Sequence, residues 1–287
     1  MSGPIGVVCL VRGCSFLRRI GSMNATRGII GRRANTMLSN LTTNFVARLR
    51  ARDEGAWFEL WETFGPVLRA QLSKWGRGRI GPETANDLSQ ETLAALSNSI
   101  ENYDPTRGAR FSTWLLAIAK HTLGDEIDRR MALKRGAGKK PAEFDATWMT
   151  GGNDGVAPDA EYEAAVFRAK VEAALRAVER ECDFKDFSIY RLRVLDSVSG
   201  KEVAVQIGMS EPTVSRRLAK VRETLRVKLN EVITTYSFTE EELIEPERNG
   251  LRLNPTKADD TLFDEAIAEI YHQQAELHRR DQANIER

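Results

Sequence analysis

Hydroxyl and cationic side chains gather on one side of a predicted helix in the last third of the chain. Arg216, Arg217 and Lys220 lie three, four and seven residues after Thr213. On an α-helix these spacings bring side chains to the same side or its flank. Such groups suit a groove lined by phosphates and base-edge acceptors. The simpler interpretation is a solvated basic face, so the pattern needs support from its surroundings.

The residues around this helix predict a helix-turn-helix. Ala204 lies where two helices would meet, Gly208 follows where the chain must turn sharply, and Val214 would lock the second helix onto the first. Ser210 is a suitable N-cap and Pro212 falls in the first turn. The buried stripe of the second helix is predicted to carry Val214, Leu218, Val221, Leu225 and Leu229. Together these features make DNA a predicted partner.

A second polar face is predicted on the helix that begins at Pro82. At 100° per residue, one side of this helix carries Asp87, Gln90, Glu91 and Asn98. The opposite side is apolar and carries Ala85, Leu88, Leu93, Leu96 and Ile100. A solvated face is the simpler interpretation of the polar side. The alternative is an acidic and amide patch that binds a basic partner helix.

The next predicted helix, from about residue 111, combines aromatic and basic residues. Lys120, His121, Arg129 and Arg130 lie near its exposed later turns. Basic side chains beside aromatic rings can hold single-stranded nucleic acid, with cations on phosphates and rings against bases. Trp114 alone is more typical of a core residue than of a stacking platform.

Apolar periodicity predicts an all-α chain of two helical domains joined by a flexible linker. The predicted divisions are a disordered basic segment 1–36, a helical domain 37–134, a Gly- and Pro-rich linker 135–160, a second helical domain 161–236 and an acidic extension 237–287. The extension contains a short predicted helix, from Thr261 to about Arg280. We expect a solvated, disordered tail; the alternative is a tail that competes with DNA for the basic helix.

The cysteines indicate neither a disulfide framework nor a zinc site. Cys9, Cys14 and Cys182 form no CxxC pair and no even set, which fits a reducing cytoplasm. No apolar run approaches the roughly 20 residues that span a bilayer, so no membrane insertion is predicted. We expect translation to begin at Met23 or Met37.

No catalytic or cofactor site is predicted. The histidines, His121, His272 and His278, have no acid or cysteine arrangement that suggests a nucleophile or a metal site. No glycine-rich phosphate loop follows a strand. The chain is therefore predicted not to be an enzyme and to need no cofactor.

The order of these motifs resembles the bacterial sigma-70 family of RNA polymerase sigma factors. DLSQETL at 87–93 is followed by YDPTRGARFSTWLLAIAKHTLGDEIDRR at 103–130, then by the linker and the helix-turn-helix. The resemblance covers about residues 45–229 and is greatest to the small extracytoplasmic-function (ECF) type. It implies that the first domain is sigma region 2 and the second is sigma region 4.

The resemblance also implies a role for each motif. The residues that match the helix binding the clamp coiled coil of the polymerase's largest subunit are Asp87, Leu88, Gln90 and Glu91. Those in the part that reads and melts the −10 promoter element are Arg110, Trp114, Lys120, His121, Arg129 and Arg130. Those on the helix that reads the −35 element are Thr213, Ser215, Arg216, Arg217 and Lys220. Helix 184–195 matches the part that contacts the polymerase flap.

Two positions depart from the family pattern. His121 stands where the family usually has Asn, and Asp128 where a basic residue is common. The leading prediction is a cytoplasmic sigma factor that binds core RNA polymerase and promoter DNA, with an anti-sigma factor as a further partner of many family members. The alternatives are a free-standing helix-turn-helix regulator that does not bind polymerase, and a decoy that binds polymerase without reading promoters.

Overall fold

The structure is a computed structural model, and the residues it describes are 44–103, 110–136, 158–253 and 259–285. Every regular element in these ranges is helical, so the predicted all-α class is confirmed. The predicted disordered segment 1–36 and most of the predicted linker 135–160 lie outside the described residues.

The helices are described in chain order. Before the predicted linker come α1 (44–50), α2 (Glu54–Trp75), α3 (Pro82–Ser99) and α4 (Phe111–Gly136). After it come α5 (Pro158–Glu181), α6 (Phe184–Tyr190), α7 (Gly200–Ile207) and α8 (Glu211–Tyr236), with a π-helical turn, Arg191–Leu195, continuing α6. The C-terminal extension contains α9 (Glu240–Leu243), α10 (Glu245–Arg248) and α11 (Asp260–Ile285).

The first core lies between α2, α3 and α4, and the helix starts are set by local chemistry. The side chain of Asp53 accepts a hydrogen bond from the N–H of Ala56 at 2.8 Å and so caps α2. Pro82 occupies the first turn of α3, where its missing N–H costs nothing. Leu60, Leu68, Leu96, Phe111 and Leu115 are among the residues buried in this core.

The second core is built by α6, α7, α8 and α11, and α5 contributes to both cores. Tyr162 and Val166 of α5 pack into the first core. Val171 and Val178, further along the same helix, pack into the second core with Val221 of α8. The end of α8 also reaches the first core, through Tyr236, so two helices join the two helical domains.

The C-terminal extension packs onto the rest of the chain, so the expectation of a solvated, disordered tail is wrong for its described residues. Phe263 and Ile267 of α11 and Leu251 are buried in the second core. The predicted helix from Thr261 to about Arg280 is present, and α11 extends beyond it. The apolar residues of α11 are few, and those that pack against the second helical domain include Phe263 and Ile267.

Candidate functional site

The polar face predicted on α3 is exposed. Asp87, Gln90 and Glu91 lie at the surface, on the side of the helix opposite to the buried Leu96. Leu88 differs from these three, because only 2% of it is exposed and it packs in the first core. The burial of Leu88 agrees with the apolar side predicted for this helix, and its assignment to the polymerase contact stays a prediction.

Hydroxyl groups of buried and half-buried threonines join α3 to α4. The Oγ1 atoms of Thr92 and Thr122 lie 3.0 Å apart, and Thr92 also donates to the carbonyl of Leu88 at 2.7 Å. At the other end, Arg130 Nη2 donates to Thr84 Oγ1 at 2.8 Å. These bonds set the angle at which α3 presents its polar face.

Arg130 is held by other protein groups, whereas Arg129 is exposed. Both arginines bond Glu126, at 2.7 Å from Arg129 and 2.6 Å from Arg130. These hydrogen bonds, that from Arg129 foremost, lower the pKa of the Glu126 carboxyl. Because Arg130 also donates to the Arg79 carbonyl at 3.2 Å, its role in the structure is to join the end of α4 to the start of α3.

The first turn of α4 is tied to α5 through one carboxylate. Glu163 accepts hydrogen bonds from Arg110 at 3.0 Å and from Ser112 Oγ at 3.0 Å. Trp114 is half-buried and stacks on Tyr103, with ring centroids 4.8 Å apart. Arg110 thus already has an anionic partner, and one face of the Trp114 indole is already covered.

The remaining predicted residues of α4 lie apart from Trp114. Lys120 lies over the ring of Trp75, 5.1 Å from its centroid, and His121 is exposed with Nδ1 3.0 Å from Asp125. At 1.5 Å per residue, Trp114 and Arg129 are separated by about 22 Å along the helix. The predicted −10 residues therefore form an extended row and not one cluster.

Helices α7 and α8 meet at a left-handed turn. Ser199 and Glu202 form a reciprocal capping box at the start of α7. Gly208 has φ 71° and ψ 40°, a conformation that glycine adopts without a steric penalty. Ser210 is the N-cap residue of α8, but its hydroxyl bonds Thr213 Oγ1 at 2.9 Å instead of a backbone N–H.

The exposed side of α8 carries Ser215, Arg216 and Lys220, whereas Arg217 is only partly exposed. Arg217 Nη1 donates to the Oδ1 atom of Asp186 at 2.6 Å, and Lys220 Nζ lies 3.4 Å from the Oδ2 atom of the same carboxylate. Asp186 belongs to α6, and the sequence patterns do not predict a role for it. Hydrophobic periodicity reports only on neighbours within one helix, whereas the partners of Asp186 lie on a helix about 30 residues later.

The acids of the extension pair with arginines further along α8. Arg222 Nη2 lies 2.6 Å from Asp264, and Arg226 Nη2 lies 2.6 Å from Asp260. Burial raises the pKa of the Asp264 carboxyl, although hydrogen bonds from Arg222 oppose this. Arg216 stays exposed, so these contacts do not show the predicted competition between the tail and DNA.

The comparison with protein families concerns the first helical domain. Residues 60–132 match the family model for sigma-70 region 2. This match supports a sigma factor of the sigma-70 family. It covers most of α2, all of α3 and most of α4, and so includes the exposed face of α3. No curated protein matches the chain.

Within the described ranges, no three His, Cys, Asp or Glu side chains are grouped so that they could hold a metal ion. No described helix is both long and apolar enough to cross a membrane.

Proposed function

We propose that the chain is an ECF-type sigma factor that binds core RNA polymerase and directs promoter-specific initiation of transcription. The observation that carries the proposal is the match to sigma-70 region 2 over residues 60–132, together with the exposed polar face inside it. Residues 37–134 would form region 2 and residues 161–236 region 4. The protein would act in the cytoplasm, and none of its residues would be catalytic.

The polymerase contact is assigned to Asp87, Gln90 and Glu91 of α3. Their spacing places two carboxylates and an amide on neighbouring turns, and all three are exposed. Such a face is complementary to a basic helix of the polymerase clamp. Leu88 would support this face from the core.

Contact with the −10 element is assigned to the row along α4, in which His121 and Arg129 are exposed. Trp114 is half-buried, while Lys120 and Arg130 support the row through contacts with Trp75 and Glu126. Arg110 would have to exchange Glu163 for a DNA phosphate. A row of separated cations suits a single strand that runs along the helix.

Reading of the −35 element is assigned to α8, which follows the turn at Gly208 and presents Ser215 and Arg216 to solvent. The first turns of such a second helix are the part that enters the major groove. Thr213 lies in this part of the helix and holds Ser210.

A free-standing DNA-binding regulator is less well supported. It would need α7 and α8 only, and it would leave the region 2 match over 60–132 without a role. A decoy would bind polymerase and then fail to open a promoter. The experiment below separates both alternatives from a sigma factor.

The test is transcription of fragmented genomic DNA by core RNA polymerase with and without the full chain. We expect start sites that appear only with the chain. Arg216→Gln should weaken the upstream footprint, Arg129→Gln should reduce opening of the duplex, and Arg279→Gln, which removes an exposed cation from α11, should change neither. Polymerase binding without new start sites would indicate the decoy, and DNA binding without polymerase binding would indicate the regulator.

A further inference from the structure

A buried carboxylate stands behind the basic residues of α8. The side chain of Asp186 is 6% exposed, and it accepts from Arg217 at 2.6 Å and lies 3.4 Å from Lys220. Asp183, the N-cap residue of α6, lies 4.0 Å from Arg217 as well. Two cations that the sequence assigns to DNA are thus matched by two carboxylates of α6.

Arg216 is in a different environment. Its Nε atom donates to the carbonyl of Pro212, in its own helix, at 3.3 Å. Within the described ranges no acidic side chain forms an ion pair with it. Arg216 is therefore the cation in this part of α8 whose charge is not balanced by a neighbouring acid.

The pairing at Asp186 is expected to persist when DNA approaches. A carboxylate with 6% exposure is largely excluded from water, so leaving it without a cation is strongly unfavourable. Breaking the ion pair between Arg217 and Asp186 would cost more free energy than one exposed phosphate contact returns, because a phosphate contact must displace counterions. Lys220 is 73% exposed and is held less tightly.

We propose that Asp186 is a positioning residue for DNA reading. It holds Arg217 and Lys220 against α6, reduces their attraction to phosphates, and leaves Arg216 as the cation that reads base edges. Cations free to bind any phosphate strengthen sequence-independent binding, so their neutralisation raises the ratio of specific to nonspecific affinity. This inference rests on the proposed function of α7 and α8.

The test measures binding of the full chain to a mixed-sequence DNA duplex over a range of salt concentrations. Each phosphate contact contributes about −0.9 to the slope of log affinity against log salt. Asp186→Asn should free Arg217 and Lys220 and steepen the slope by about one to two. Over a fourfold rise in salt, the variant should lose up to about tenfold more affinity than the wild type.

Single neutralisations of α8 give a matched comparison that does not disturb the core. Arg216→Gln should flatten the slope by about one, whereas Lys220→Gln should flatten it by clearly less, although both side chains are exposed. In the Asp186→Asn background, Lys220→Gln should flatten the slope as much as Arg216→Gln does. This dependence on Asp186 is a readout that loss of packing alone would not produce.

Two results would overturn the inference. One is an unchanged slope in Asp186→Asn, including the case in which neither protein binds the duplex. The other is an equal flattening by Lys220→Gln and Arg216→Gln in the wild-type background. Polymerase binding through α3 is measured separately. If only the role of Asp186 is wrong, the chain should still bind polymerase. If the proposed function is wrong, it should not.

Discussion

The buried ion pair between Lys170 of α5 and Glu242 of α9 should hold the extension in place. Both side chains are 1% exposed, and Lys170 Nζ lies 3.3 Å from Glu242 Oε1. The other oxygen of Glu242 accepts from the N–H of Phe238 at 2.8 Å and from the N–H of Thr239 at 3.1 Å. Glu242 thus completes the cap of α9 and neutralises a buried cation at the same time.

Glu242→Leu should lower the free energy of unfolding by about 3–5 kcal/mol, because it leaves the Lys170 ammonium buried without its partner. Loss of the cap contributes about 1 kcal/mol to this cost. The matched control Glu241→Leu changes an exposed neighbour and should shift stability by no more than about 0.5 kcal/mol. Denaturant unfolding of the full chain measures both values.

A double-mutant cycle separates the pair from the cap. Lys170→Met combined with Glu242→Leu removes both charges, so the double variant should be more stable than Glu242→Leu alone. Hydrogen exchange at α9 should rise most in the single variant. A loss of less than about 1 kcal/mol in Glu242→Leu would refute the claim that this pair is both buried and required.

Further substitutions test the turn, the tail and one carboxylate. Gly208→Ala should cost roughly 1–2 kcal/mol in thermal unfolding, because φ 71° is strained for a residue with a Cβ; an unchanged melting temperature would contradict the left-handed turn. The ring of Phe238 stacks on Phe111 in the first core, with ring centroids 5.3 Å apart. Phe238→Ala should therefore weaken docking of the extension and speed proteolysis of the tail. An unchanged rate of cleavage would contradict a role for this contact. The Glu126 pKa is lowered on folding, so its stabilisation is present above the ordinary carboxyl range and is lost as pH falls through the folded pKa. Glu126→Gln should therefore be less stable than the wild type at neutral pH and equal to it in acid. A difference in stability that persists in acid would show that the charge of Glu126 is not its cause.

Local patterns predicted α3, α4, α8 and α11 and the turn between α7 and α8. The apolar stripe of α8 and the glycine at 208 depend only on residues near in sequence, and the buried Val214 and Leu225 agree with the stripe. The polar face of α3 followed from the same periodicity. That periodicity also placed Leu88 on the apolar side of α3, where it is buried.

Pairings between distant residues could not be predicted in the same way. Asp186 and Glu242 are buried acids whose cations lie 31 and 72 residues away in sequence. The helix of the extension has few apolar residues, and two of them, Leu262 and Leu277, are exposed. Its docking also depends on Arg222 and Arg226, whose pairing with acids of α11 leaves no periodic signal.

Binding of the full chain to core RNA polymerase is the most direct test of the sigma-factor account. Asp87→Arg and Glu91→Arg reverse charges on the exposed face of α3, and Glu265→Arg reverses an exposed charge on α11 as the control. We predict stoichiometric binding by the wild type and the control, and loss of binding in both α3 variants with unchanged helical content. Absence of binding by the folded wild type, or equal binding by all variants, would contradict the account.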